Sequence, residues 1–124
     1  MANLLIVEDS ATDREYLLDM LRKAGHSTLV AASGGEGVEV ARSQCPDLIF
    51  MDIVMEGGDG YLAIRALRED PATARIPVVV VSSKNQKADK MWAQLQGAKG
   101  YVVKPANAEV VLGYVDSLAG RPSP

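Results

Sequence analysis

The chain has 124 residues, 48% hydrophobic and 23% charged, the balance of one globular domain long enough to bury a core. A net charge of −3, with no basic stripe and no block of like charge, gives no footprint for nucleic acid or for insertion into a membrane. Cys45 is the only cysteine, which excludes an intramolecular disulfide and a thiolate zinc site. No apolar run approaches the roughly 20 residues that cross a bilayer. The opening MANLLIVEDS has no positive region and soon meets Glu8 and Asp9, so no signal peptide is expected and a cytoplasmic location is.

Short apolar runs alternate with amphipathic stretches along the chain. The first run, Leu4 to Val7, is followed by Leu17, Leu21 and Ala24 at helical spacing. Ser10 with Asp13 resembles a capping box at the start of this helix, and Gly25 marks its stop. Leu29 to Ala31 precedes a helix that carries Val38 and Ala41 and opens on Ser33 with Glu36. Leu48 to Met51 precedes Tyr61, Ile64 and Leu67. Val78 to Val81 precedes Ala88, Met91, Trp92 and Leu95, which end at Gly97. Tyr101 to Val103 precedes Val111, Tyr114, Val115 and Leu118. The runs are continuous rather than alternating, as strands buried on both faces should be. Five strands strictly alternating with five helices imply a doubly wound α/β domain with a parallel sheet and helices on both faces. The domain is expected over residues 1–120, with 121–124 frayed, and nothing suggests more than a monomer.

In open α/β sheets, ligands bind beyond the carboxyl ends of the strands where strand order reverses. A sheet of order 2-1-3-4-5 puts that point between the first and third strands; this order is borrowed from folds of the type, not deduced from spacing. The first run ends in Glu8-Asp9, the third in Asp52, the fourth in Ser82-Ser83 and the fifth in Lys104-Pro105. Three carboxylates on one rim repel one another, and burial would raise their pKa values. A hard divalent cation resolves the conflict. Mg²⁺ suits a few carboxylates, waters and a phosphate oxygen, and Mn²⁺ could substitute. One carboxylate can then act as a nucleophile toward phosphorus, while Lys104, the cation and the Ser82 hydroxyl hold the three phosphoryl oxygens.

These residues resemble the receiver domains of two-component response regulators over essentially the whole chain. The matching motifs are Ile6 to Ser10, Asp47 to Asp52, Asp59-Gly60-Tyr61, Pro77 to Ser82 and Gly100 to Pro105. Each motif alone is weak; five in order at family spacing are specific. The resemblance implies that Asp52 is the phosphoacceptor and that Glu8 and Asp9 bind Mg²⁺ together with Asp52 and the Val54 carbonyl. It makes Ser82 the hydroxyl that follows the phosphate, Tyr101 the aromatic switch and Lys104-Pro105 a cis peptide. It further implies a sensor histidine kinase as donor and an output protein of unknown identity. The protein would catalyse only its own phosphorylation and dephosphorylation. The segment from Ser82 to Ala98 is similar to single-domain receivers of type IV pilus twitching-motility systems, relatives of the chemotaxis receivers. Three departures stand out. Glu56 occupies a position where many relatives have Pro, Ser82 lacks a threonine methyl, and Glu8 replaces a common Asp.

Other residues carry plainer expectations. Trp92 is as readily a part-buried packing residue as a partner contact, and His26 is structural. Cys45, before Pro46, is expected as a small buried hydrophobe. Ser33-Gly34-Gly35 does not match a dinucleotide fingerprint. Three competing functions are a phosphate sink that drains a shared kinase, a flavodoxin-like nucleotide-binding protein, and a degenerate receiver that only scaffolds. The second would need a phosphate cradle after the first strand, where Glu8 and Asp9 would repel it.

Overall fold

A computed structural model describes residues 2–55 and 60–119. The expectations for Glu56, for Asp59 and for the 121–124 tail lie outside the described residues. The elements run in chain order β1 (Asn3–Val7), α1 (Ala11–Lys23), β2 (Ser27–Ala31), α2 (Gly34–Gln44), β3 (Leu48–Asp52), α3 (Gly60–Glu69), β4 (Val78–Ser82), α4 (Lys87–Gln96), β5 (Gly100–Val103) and α5 (Ala108–Leu118). The five strands form one parallel sheet in the order β2-β1-β3-β4-β5. The order implied at the outset is the one found.

The apolar runs are continuous because successive side chains point to opposite faces, and both faces are covered. Leu4, Ile6, Leu48, Phe50, Val79 and Val81 meet Leu17, Leu18 and Leu21 of α1 and Val111 and Val115 of α5. Leu5, Val7, Ile49, Met51, Val78 and Val80 meet Val38 and Ala41 of α2, Ala63, Ile64 and Leu67 of α3, and Ala93 of α4. Only the central strands follow the fully buried pattern. At the edge of the sheet, β2 has only Ala31 buried, and in β5 only Val102 is.

Helix ends follow local chemistry. The Ser10 and Ser33 hydroxyls accept from the N–H groups of Asp13 and Glu36, and Glu36 Oε1 reaches back to the Ala32 N–H at 2.8 Å. Gly25 (φ 91°) and Gly97 (φ 111°) take the left-handed conformation past the ends of α1 and α4. Cys45 corrects the sequence reading. It is exposed and itself caps α2 at φ 47°, while the next residue, Pro46, carries the burial. A C-cap must leave the helical cylinder, which turned this side chain outward. His26 is structural as expected, its Nδ1 accepting from the Ala2 N–H at 3.1 Å.

A second correction concerns α4. The apolar set Met91, Trp92 and Leu95 is not a core stripe, since these residues are 54%, 51% and 71% exposed. Ala93 alone in this helix is buried. Small residues let α4 lie close to the sheet, and its large side chains were left outside. Trp92 rests its edge on the Tyr61 ring of α3, with centroids 6.3 Å apart at 82°.

Gly60 opens α3 where the chain returns from β3. A Cβ there would stand 2.6 Å from Ile53 Cα and 2.8 Å from the Asp52 carbonyl oxygen, and backbone atoms cannot yield cheaply. Gly113, on the exposed side of α5, would place a Cβ in open space. Urea unfolding should therefore show Gly60→Ala destabilised by about 1–3 kcal/mol, the usual cost of overpacking. Gly113→Ala should be stabilised by roughly 0.4–1 kcal/mol through helix propensity and unfolded-state entropy.

Candidate functional site

The sheet register assembles the site. Val7 pairs with Met51, and Asp52 pairs with Val81, so the residues just past these pairs gather at one rim between β1, β3 and β4. Ser82 pairs with Val103, and the Lys104 N–H donates to the Ser82 carbonyl at 2.8 Å, bringing the end of β5 to the same rim. The chain leaves β1 toward β2 but places β3 on the other side of β1. The connections after β1 and β3 thus diverge, which opens a crevice between the two strand ends.

Three carboxylates meet in that crevice. Oxygens of Glu8, Asp9 and Asp52 all lie within 4.8 Å of one another, with Glu8 and Asp52 buried and Asp9 exposed. The Lys104 ammonium binds three acids: Glu8 Oε1 at 2.9 Å, Asp13 Oδ2 at 2.8 Å and Asp52 Oδ2 at 3.2 Å. The peptide between Lys104 and Pro105 is cis. Asp52 Oδ1 accepts from the Val54 N–H at 2.9 Å, and Val54 itself is half exposed. Glu8 is tied down further, since its Oε2 accepts from the Ser10 N–H at 3.0 Å and its carbonyl accepts from Arg14 Nη1 at 2.8 Å.

The electrostatics follow from three acids facing one lysine, with Asp9 beside two of them. Burial pushes the Glu8 carboxyl up to about 7; the hydrogen bond from Lys104 pulls the other way, and the neighbouring Asp52 adds to the rise. Burial by itself would lower the Lys104 pKa, but the bonds it donates to Asp13 and Glu8 and the charge of Asp52 outweigh it and raise it. The ammonium therefore stays charged at any physiological pH. A buried Glu8 that resists ionising beside two further carboxylates suits a hard divalent cation, which would neutralise what the single lysine cannot.

Two other residues singled out from sequence lie beside this cluster and form a chain of their own. Ser82 is fully buried and its hydroxyl accepts from the Lys84 N–H at 3.0 Å. The half-buried Tyr101 donates its hydroxyl to the Lys84 carbonyl at 2.8 Å. Lys84 thus links the rim to β5 through its backbone alone. The sequence reading missed Asp13. Its place in the Ser10 capping pattern accounts for its backbone N–H alone, while its carboxylate crosses to Lys104. Its position on the first turn of α1, directly after an acidic strand end, was the one available signal.

Comparison with known proteins shows the family and the fold. The family model described as the response regulator receiver domain matches residues 4–116. The chain is 46% identical over 121 residues to Protein PilH of Pseudomonas aeruginosa, covering 97% of this chain and 100% of that protein. Among solved structures, a response regulator from Chloroflexus aurantiacus superposes with a TM-score of 0.90 at 30% identity, covering 97% of this chain and 98% of that one. The chemotaxis protein CheY4 of Vibrio cholerae follows with a TM-score of 0.87 at 28% identity, covering 95% and 98%.

The raised Glu8 pKa sets a sign for stability. Between the ordinary value of 4.5 and about 7, the folded state holds a proton that the unfolded chain has released. Stability is therefore fully present below pH 4.5 as far as this group is concerned, and it is lost as pH rises through 7. With a chelator present, urea unfolding at pH 5 should exceed that at pH 8 by on the order of 2–3 kcal/mol. Glu8→Gln should remove most of this slope.

Proposed function

The chain belongs to the response-regulator receiver family, and from that premise we propose that it is a stand-alone phosphorylation-driven switch with Asp52 as phosphoacceptor. The observation that carries the reading is the Asp52 carboxylate itself. It is 3% exposed, lies at the switch point of the sheet, and sits between the Lys104 ammonium and two further acids. The match to PilH along that protein's full length supports the stand-alone reading. Signalling is its role, and the chemistry it performs is its own phosphorylation and dephosphorylation.

In this reading Glu8, Asp9, Asp52 and the Val54 carbonyl hold Mg²⁺, or Mn²⁺ in its place. When bound, the cation supplies neutralisation of the acids and of a phosphoryl oxygen. An Asp52 oxygen attacks the phosphorus of a sensor kinase's phosphohistidine. The P–N bond breaks, its electron pair returns to the ring nitrogen, and an imidazole protonated on its other nitrogen leaves neutral. Little covalent help is needed, so the chain's contribution is position and charge. Lys104, kept protonated by its acidic neighbours, grips one phosphoryl oxygen and the Ser82 hydroxyl another.

The switch runs through the bonds already described. When Ser82 turns its hydroxyl to the phosphoryl group, it releases the Lys84 N–H and frees to move the Lys84 backbone whose carbonyl holds the Tyr101 hydroxyl. Tyr101 then turns inward, and the surface of α4, β5 and α5 changes for an output partner. The exposed Met91, Trp92 and Leu95 supply apolar area of the kind a partner covers. Identity to PilH and the Ser82 to Ala98 segment support a place in a pilus-motility or chemotaxis system in the cytoplasm.

Incubation with Mg²⁺ and acetyl phosphate should add the mass of one phosphate to the wild-type protein. Asp52→Asn should add none, and a chelator should abolish the gain. An undiminished gain in Asp52→Asn would place the phosphoryl group elsewhere and end this reading.

A further inference from the structure

The Lys104 ammonium has three N–H donors, and all three are engaged, by Glu8, Asp13 and Asp52. While Asp52 is still a carboxylate, an incoming phosphoryl oxygen can be gripped only if one acid lets go. Glu8 and Asp52 are 1% and 3% exposed, so neither can turn to water from where it stands. Asp13 is 46% exposed. Its backbone N–H remains fixed to the Ser10 hydroxyl, so the carboxylate can leave without disturbing the first turn of α1. Its bond to Lys104 is also the shortest of the three.

Resting on the assignment of Asp52 as phosphoacceptor, we propose that Asp13 is a positioning residue that competes with the phosphoryl group for Lys104. In the unphosphorylated protein it occupies the donor that the phosphoryl oxygen needs, and it must swing into solvent as that oxygen arrives. A dianionic group and a carboxylate cannot share one ammonium without repulsion. Asp13 therefore slows phosphorylation and weakens the grip on the product, acting wholly through Lys104. A half-exposed ion pair of this kind makes the effect modest, about two- to fivefold.

The test compares wild type, Asp13→Asn, Asp13→Ser and Glu15→Gln, all with Mg²⁺ present. Glu15 is an exposed acid on the same helix and removes the same charge. Rates of phosphorylation are read with acetyl phosphate and with phosphoramidate. The equilibrium affinity for beryllofluoride, a phosphoryl mimic, is read separately. All are repeated at about 1 M salt, where long-range steering is screened. Both Asp13 variants should label about two- to fivefold faster with either donor and bind beryllofluoride tighter by a similar factor, in high salt as well. Glu15→Gln should match wild type. If wild type labels at Asp52 but the Asp13 variants are no faster and bind the mimic no tighter, the role of Asp13 is refuted and the receiver reading stands. The same holds if Glu15→Gln matches the Asp13 variants. A wild-type protein that neither labels nor binds the mimic overturns both.

Discussion

One lysine among buried carboxylates is the constraint on which the rest of this structure depends. Glu8 and Asp52 are taken out of water at the end of the sheet, and Lys104 is the cation that the chain itself provides for them. Burying carboxylates costs free energy unless they are paired, and one ammonium among four acids pairs them incompletely. The residual conflict appears in Glu8, which burial holds in its protonated form well above the ordinary carboxylate range. A site left short of positive charge is a site prepared for a metal ion.

The sheet makes that arrangement possible. Parallel strands in register deliver residues far apart in sequence to one edge, and the reversal of strand order at β1 leaves the edge uncovered. The two apolar cores beneath it fix the strands from both faces, so the polar rim rests on a rigid platform. Gly60 belongs to the same requirement, for only a residue without a side chain lets α3 start against the backbone that carries Asp52.

From the rim outward the structure becomes softer and more polar. Ser82, Lys84 and Tyr101 are joined by two hydrogen bonds, both through the Lys84 backbone. A chain of this kind has few contacts to overcome and can take a second arrangement at small cost, as a switch requires. The large apolar side chains of α4 remain exposed and add little to the core, which takes only Ala93 from this helix.

The sequence by itself determined the element order, the parallel sheet and the acids, hydroxyl and lysine that close its strands, because hydrophobic period and strand-end position are local and survive in one dimension. It did not determine which side of α4 faces the core, since the period of Met91, Trp92 and Leu95 is the same whether the stripe points in or out, and only packing against the sheet chose Ala93. Cys45 was misplaced for a related reason: cap geometry depends on where the helix ends in space. Asp13 was hidden most completely, for it has one sequence position but two roles. Its backbone serves the local helix cap, while its carboxylate meets a lysine 91 residues away, a contact that exists only once the sheet has carried the end of β5 across β4 and β3 to the rim beside β1.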